Sequence, residues 1–388
     1  MLKSPLRHLW QFYALKMTNK KLGIYVHIPF CISKCAYCDF ASFGGNSKEG
    51  RRTYIDALLS EIEEYGKEKK SSPDTVYFGG GTPSILEVSE ISLIVNKLSS
   101  VFDLSKVREF TTEANPGTVS FEKLCAYKKL GFNRISFGLQ SIHENELKML
   151  GRIHTYREFE DAYYMARKAG FDNINVDLMY SIPGQSRNSF AESLNKVISL
   201  SPEHISAYSL IIEEGTPIYK RRHSLSFPDE NEEIEMYNTL CNTLASAGYS
   251  HYEISNYAKA GFESLHNLIY WHMDEYVGFG LSAHSYYGGT RISNTASLKD
   301  YILNPSSHTT ASLTRDDEAF EYAMLALRLK EGFSLSDYKS RFSVDFISGR
   351  EEKLKTFIGG GFLKIENGRI FLTEKGFYVS NALLVELL

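Results

Sequence analysis

The chain has 388 residues, 43% of them hydrophobic, and a formal net charge of −4. That length exceeds one compact core of ordinary size, so one large domain and one smaller domain are expected. No window approaches about 18 consecutive apolar residues, which excludes an ordinary membrane-spanning helix. The slight acidity gives no electrostatic reason to expect nucleic acid or an anionic membrane as a partner.

Residues 1–22 read as an N-terminal extension. They contain a Pro and scattered basic residues but no continuous apolar stretch, so they do not read as a signal peptide. Met17 stands just before the first strand and is an alternative start. Five cysteines, an odd number in a chain this long, do not suggest a disulfide framework; a reducing cytoplasm is the expected location.

Six short runs rich in β-branched and aromatic residues follow: Gly23–Phe30, Asp74–Gly80, Glu109–Pro116, Arg134–Ser141, Asn173–Ser181 and His204–Ile212. Gly, Pro or Asn bounds each, as expected of buried strands. Helix-period segments separate them; in Arg51–Tyr65, for example, Tyr54, Leu58, Ile62 and Tyr65 share one face. Repeated βα units imply a parallel sheet with crossover helices. The polar residues of interest, Gly79–Gly81, Glu113, Gln140 and Asp177, cluster at strand C-termini. That rim is where (β/α) barrels build their sites, so an α/β fold with a complete or partial barrel is expected over residues 23–290.

Beyond Ile212 the rhythm changes. Glu230–Ala247 reads as a long amphipathic helix, and an aromatic- and His-rich stretch runs from His251 to Tyr287. A second domain is expected over residues 313–388, with helices at Glu318–Leu329 and Leu335–Phe342. Phe362–Thr373 reads as a hairpin turning at Asn367-Gly368, and a final helix closes the chain. Helices followed by a hairpin suggest a winged helix. Such modules often bind DNA, but acidic and basic residues are nearly balanced here and no basic stripe is present, so no nucleic acid is expected.

The chemistry concentrates just after the first strand, where Cys31, Cys35 and Cys38 form C-x3-C-x2-C. Three thiolates on a short loop can hold three irons of a cubane cluster and leave the fourth iron open to a small molecule. A structural zinc site is the competing reading. Zinc prefers two separated ligand pairs and a closed set of four, and no second pair is present. Cys125 and Cys241 stand alone on predicted helices and read as core thiols.

The cysteine loop, with an aromatic residue before its last Cys, resembles that of the radical S-adenosylmethionine superfamily. The flanking Tyr25-Val-His-Ile-Pro-Phe-Cys31 and Tyr37-Cys38-Asp-Phe40 are similar to the subgroup of oxygen-independent coproporphyrinogen III oxidase and its HemW-type relatives. The similarity extends over almost the whole chain. It implies a partial barrel of the radical S-adenosylmethionine type with a small HemN-type C-terminal domain. It also implies a [4Fe–4S] cluster on Cys31, Cys35 and Cys38, with S-adenosylmethionine at the open iron. One-electron reduction of the sulfonium would then break the S–C5′ bond to give a 5′-deoxyadenosyl radical.

By the same resemblance Tyr25, Tyr37, Gly80, Gly81, Thr82, Glu113, Gln140, Arg152 and Asp177 match the family's S-adenosylmethionine positions. Their chemistry agrees. Glycines let a ligand approach the backbone, a strand-end carboxylate such as Glu113 can accept from ribose hydroxyls or an amino group, and an acid within an apolar strand, Asp177, needs a partner or ligand. Arg152 can bridge such carboxylates. An internal salt-bridge and capping network is the competing reading for Asp177 and Arg152. No catalytic residue is assigned.

Two departures separate the readings inside the subgroup. The oxidase has a further Cys two positions after the third cluster ligand, where this chain has Phe40, and its N-terminal extension is longer. His266-Asn267-Leu268-Ile269-Tyr270-Trp271 matches the HNxxYW motif of the HemW type, associated there with haem binding. The resemblance therefore implies a haem chaperone that delivers haem to an acceptor of unknown identity, with His266 as a candidate haem ligand and His251, His272 and His284 as rivals. An oxidative decarboxylase of coproporphyrinogen III is the other reading, and a radical enzyme with a different substrate is a third.

Overall fold

The computed structural model describes residues 20–45, 47–68 and 71–388. The extension at residues 1–22, save its last three residues, and the alternative start at Met17 lie outside them. One mixed sheet organises the larger part of the chain. Its strands are β1 (Leu22–Ile28), β2 (Thr75–Gly80), β3 (Glu109–Ala114), β4 (Arg134–Gln140), β5 (Asn173–Tyr180), β6 (His204–Ser209), β7 (Ser250–Glu253), β8 (Asn256–Ala258), β9 (Glu275–Phe279), β10 (His284–Tyr287), β11 (Thr290–Asn294) and β12 (His308–Ser312). They lie in the spatial order β12-β11-β10-β9-β1-β2-β3-β4-β5-β6-β8-β7, so the sheet is open rather than closed into a full barrel.

β1 to β6 pair in parallel, in chain order. Such strands are covered on both faces, which is why β1 and β4 are buried almost throughout. Crossovers run through α1 (Lys48–Glu68), α2 (Val88–Val101), α3 (Phe121–Lys129), α4 (Tyr156–Lys168) and α5 (Arg187–Leu200), with α6 (Glu230–Ser246) after β6. Helix starts follow capping chemistry: Thr155 and Glu158 form a reciprocal box at α4, and Asp229 and Glu232 do so at α6. On α1 the predicted face is real. Tyr54, Leu58 and Ile62 are fully buried against the sheet, each side chain contributing on the order of 2 kcal/mol.

The aromatic stretch after α6 is not one segment. It makes β7, β8, the short helix α7 (Leu265–Trp271), β9 and β10. β9 lies parallel to β1, adding a seventh parallel strand that the periodicity did not reveal. Its neighbour is more than 200 residues away in the chain, so nothing local announces the pairing. β10 to β12 extend the sheet antiparallel beyond it.

A second core gathers residues from Ala319 to Leu387, with Phe333, Tyr338, Phe342 and Phe346 at its centre. Its three strands, Phe333–Ser334, Arg369–Leu372 and Leu363–Glu366, are antiparallel. The hairpin turns at Asn367 and Gly368, with φ of 52° and 74°, the double left-handed geometry that Asn-Gly favours. The first helix spans Arg315–Ala326, a few residues earlier than its apolar pattern suggests, because Thr314 caps it.

Glu61 joins α1 to the antiparallel extension. Its buried carboxylate accepts from Gly280 N at 2.8 Å, Tyr301 Oη at 2.6 Å and Asn294 Nδ2 at 2.6 Å. Burial pushes its pKa up to about 7, against the opposing pull of these donors, Tyr301 first. The folded state therefore holds a proton that the unfolded chain releases near pH 4.5. This group's contribution is complete below that pH and is lost as pH rises toward 7, a change of roughly 3 kcal/mol. Denaturant titrations of wild type and Glu61→Gln should thus show a stability difference that varies between these two pH values and is flat above them; a difference independent of pH would contradict the assignment.

Candidate cluster and cofactor site

The cysteine loop is pinned by the backbone before any ligand is considered. Phe30–Cys31 pairs in parallel with Phe43–Gly44. Phe43 N donates to Pro29 O at 2.7 Å, Ala36 N to Leu150 O at 2.9 Å, and Ile218 N to Ala36 O at 2.9 Å. His27 Nε2 donates to Ala41 O at 2.8 Å. The loop thus arrives at the strand C-termini already shaped.

All three loop cysteines are free thiols, and each faces a polar neighbour. Thr82 Oγ1 donates to Cys31 Sγ at 3.5 Å, Arg152 Nη1 to Cys35 Sγ at 3.4 Å, and Ser42 Oγ lies 4.0 Å from Cys38 Sγ. Among the described residues the one trio of Cys, His or carboxylate groups with ligand atoms all within 4.8 Å is Cys241, His251 and Glu374, not the loop cysteines. Ligands of one tetrahedral zinc would stand roughly 3.8 Å apart. The three loop sulfurs line one cavity but do not all meet that spacing, so they do not form a preassembled zinc site.

That cavity, of about 130 Å³, is lined by Cys31, Cys35, Tyr37, Cys38, Gly80, Gly81, Thr82, Glu113, Gln140, Arg152 and Asp177. The structure therefore gathers every residue expected there except Tyr25, which faces an adjoining cleft. Asn115, Ser136 and Gly138 also line it. Sequence reasoning missed Asn115, although it lies between Glu113 and Pro116 at a strand end. Its Nδ2 donates to Thr82 Oγ1 at 2.9 Å and its Oδ1 accepts from Arg152 Nη2 at 2.8 Å.

Each side chain has a physical reason for its position. Gly80 has φ of +106°, and a Cβ there would stand 2.4 Å from the His27 ring. Glu113 accepts from Tyr77 Oη at 2.8 Å and Gly80 N at 3.2 Å. Burial pushes its pKa up to about 7; the Tyr77 hydrogen bond opposes this and the Asp177 charge adds to it. Asp177 is likewise raised by burial, and its partner is Asn175 Nδ2 at 2.7 Å.

Arg152 does not bridge carboxylates as expected. It donates to Asn115 Oδ1, Gly138 O and Cys35 Sγ, and no ion pair to an acid is found among the described residues. The neutral oxygens and the sulfur reach its rigid fork first.

Two polar atoms on this wall are buried without a partner among the described residues: Arg152 Nε and Gln140 Oε1. Gln140 also has φ of 72°, at a register irregularity between Gly138 and Gln140. A non-glycine residue in the left-handed region carries strain, which functional sites tolerate. An unmet donor and an unmet acceptor facing a cavity fit a polar, partly charged small molecule. The three thiols beside them fit an iron–sulfur cluster with one open corner.

Tyr25 borders a second cleft, of about 470 Å³, which shares Phe40, Gly80 and Glu113 with the first and adds Tyr270, Tyr276 and His284. His266, by contrast, is 1% exposed beneath the sheet. Its Nδ1 bonds Thr75 Oγ1 at 2.7 Å and its Nε2 bonds Tyr270 Oη at 2.8 Å. Its ring stacks on Tyr77 at 5.1 Å, and burial lowers its pKa to about 3. With both nitrogens engaged, His266 offers no lone pair to iron in this geometry. It holds Tyr270 in place instead. Cys241, read as a core thiol, is half-buried and lies 3.3 Å from Tyr257 Oη.

Comparison with known proteins accords with this geometry. Residues 25–197 match the radical SAM superfamily model and residues 313–379 the HemN C-terminal domain model. The chain is 35% identical to the heme chaperone HemW of Lactococcus lactis over 94% of its length and 97% of the relative. The Bacillus subtilis heme chaperone HemW is also 35% identical, over 92% of this chain and 96% of the relative. The corresponding Escherichia coli protein is 35% identical over 80% and 83%. Among solved structures, coproporphyrinogen III oxidase (HemN) from Escherichia coli superposes with a TM-score of 0.81 at 22% identity, covering 97% of this chain and 92% of that one. At that identity the likeness concerns the fold.

Proposed function

Because the chain belongs to the HemW family of the radical S-adenosylmethionine superfamily, for which a [4Fe–4S] cluster and S-adenosylmethionine are implied, we propose that it binds haem and passes it to an acceptor protein. Cys31, Cys35 and Cys38 would hold the cluster. Tyr37, Gly80, Gly81, Thr82, Glu113, Gln140, Arg152 and Asp177 would hold S-adenosylmethionine, with Tyr25 bracing the rim through His27. When bound, the cluster supplies a single electron to the sulfonium.

The chain's own residues do the positioning. The glycine ridge admits the ligand close to the backbone, Glu113 accepts from a hydroxyl or amino group, and Gln140 Oε1 takes a donor. Arg152 holds the Cys35 side of the loop against Asn115. One observation supports the reading: the three-thiol cavity shares a wall with a cleft of about 470 Å³ lined by Tyr25, Phe40, Tyr270 and Tyr276. No helix among the described residues is long and apolar enough to cross a membrane.

Phe40, standing where the oxidase has a cysteine, favours transport over decarboxylation. The test is anaerobic reconstitution with iron and sulfide, followed by haem titration and transfer to apomyoglobin, beside an assay with coproporphyrinogen III. We expect a Soret band, haem release to the apoprotein and no product. Formation of protoporphyrinogen IX would establish the oxidase reading instead.

A further inference from the structure

We propose that His284, not the motif histidine, supplies the nitrogen ligand to haem iron in the cleft beside the cysteine loop; this rests on the haem-binding reading above. The cleft borders two histidines and backs onto a third, and only one of them has a nitrogen to give. His27 donates from Nε2 to Ala41 O and accepts at Nδ1 from Tyr25 Oη at 3.0 Å. His266 is held at both nitrogens. His284 is exposed on β10, and its Nδ1 lies 2.9 Å from Ser293 Oγ on β11, directly opposite in register. No partner of its Nε2 is found among the described residues. With Nδ1–H donating to Ser293, Nε2 keeps its lone pair on a residue that lines the cleft. This is the arrangement in which a second hydrogen bond fixes the tautomer of a metal-binding imidazole.

The backbone supports the same assignment. His284 follows a turn in which Gly280 and Ser282 have φ of +105° and 55°. Ser282 is a non-glycine residue in the left-handed region, held there by its N–H to Thr295 O at 3.0 Å. The strain is maintained at the lip of a cleft, where it sets the direction of the following side chain.

The rest of the cleft suits a porphyrin. Tyr270 and Tyr276 meet edge to face at 4.6 Å on one wall. Phe40 is 69% exposed at the other, an apolar face that water covers poorly and a macrocycle would cover well. Phe40 follows Cys38 by two residues, and Glu113 and Gly80 line both cavities. Haem held by His284 would therefore sit against the cluster loop, and the HNxxYW segment would serve it through Tyr270.

The experiment uses the full-length reconstituted protein, titrated with haem and followed by absorption and electron paramagnetic resonance. His284→Ala should shift the Soret band and weaken haem binding by at least about tenfold, while leaving iron–sulfide content and melting temperature at wild-type values, because the side chain is exposed. Added imidazole should restore the wild-type spectrum. His266→Ala should keep the wild-type haem spectrum and lose stability. If His284→Ala retains the wild-type spectrum and affinity, this assignment fails while haem binding stands. If the wild type takes up no haem, the functional reading and this inference fail together.

Discussion

Serine at Cys31, Cys35 or Cys38, one position at a time, should leave a folded protein that retains less than about a tenth of the wild-type iron and sulfide after anaerobic reconstitution. The hydroxyl is a far poorer ligand for iron than a thiolate, and no spare cysteine stands nearby: Cys125 lies on α3 and Cys241 on α6. The fold should survive because the loop is held by backbone bonds to Leu150, Pro29 and Ile218 rather than by a metal. Far-ultraviolet dichroism should therefore match the wild type, whereas the charge-transfer absorption should vanish. Cys125→Ser and Cys241→Ser should keep full iron content. A Cys31→Ser protein with wild-type iron would remove the basis for placing a cluster here.

The second large effect is expected at Gly81→Ala. A Cβ at this position would stand 2.7 Å from Phe30 O, 2.9 Å from Ile28 O and 2.9 Å from Phe30 N. These are backbone atoms of the chain entering the cysteine loop, so no side chain can rotate away. Relief requires moving the ridge, yet Gly81 N and Thr82 N are bonded to Ile28 O and Phe30 O at 2.8 Å each. The cost should be on the order of 2–4 kcal/mol in denaturant unfolding. S-adenosylmethionine affinity, read by calorimetry on the reconstituted protein, should fall by at least about tenfold. Gly184→Ala is the control. Its φ is +77° with nothing among the described residues within 4 Å of the added carbon, so it should cost roughly 1–2 kcal/mol and leave the affinity unchanged. Equal loss of affinity in both variants would mean that the ridge has no special role.

The two variants act on different levels of the same site. Cysteine replacement removes chemistry and leaves packing, whereas the glycine replacement alters packing and reaches the chemistry through it. Together with the pH response of Glu61 and the ligand exchange at His284, they separate what holds the fold from what the fold holds.

Local chemistry was enough to read much of this from residues alone. Three closely spaced thiols after a buried strand, glycines and acids at successive strand ends, and an Asn-Gly turn each depend on neighbours within a few positions. Covalent spacing therefore specified the cysteine loop, the βα rhythm and the C-terminal hairpin. What depended on distant neighbours was invisible. β9 becomes the seventh parallel strand only by meeting β1, and Gln140 takes its left-handed conformation only where β4 slips against β5. The motif histidine shows the same limit most sharply. The HNxxYW resemblance suggested a ligand, but Tyr270, one turn along α7, takes one of its nitrogens and packing of α7 against β2 gives the other to Thr75. Residue type states what an imidazole or a carboxylate can do. Tertiary packing decides which of its lone pairs remain unspent, because hydrogen bonds in a desolvated interior are costly to leave unmade.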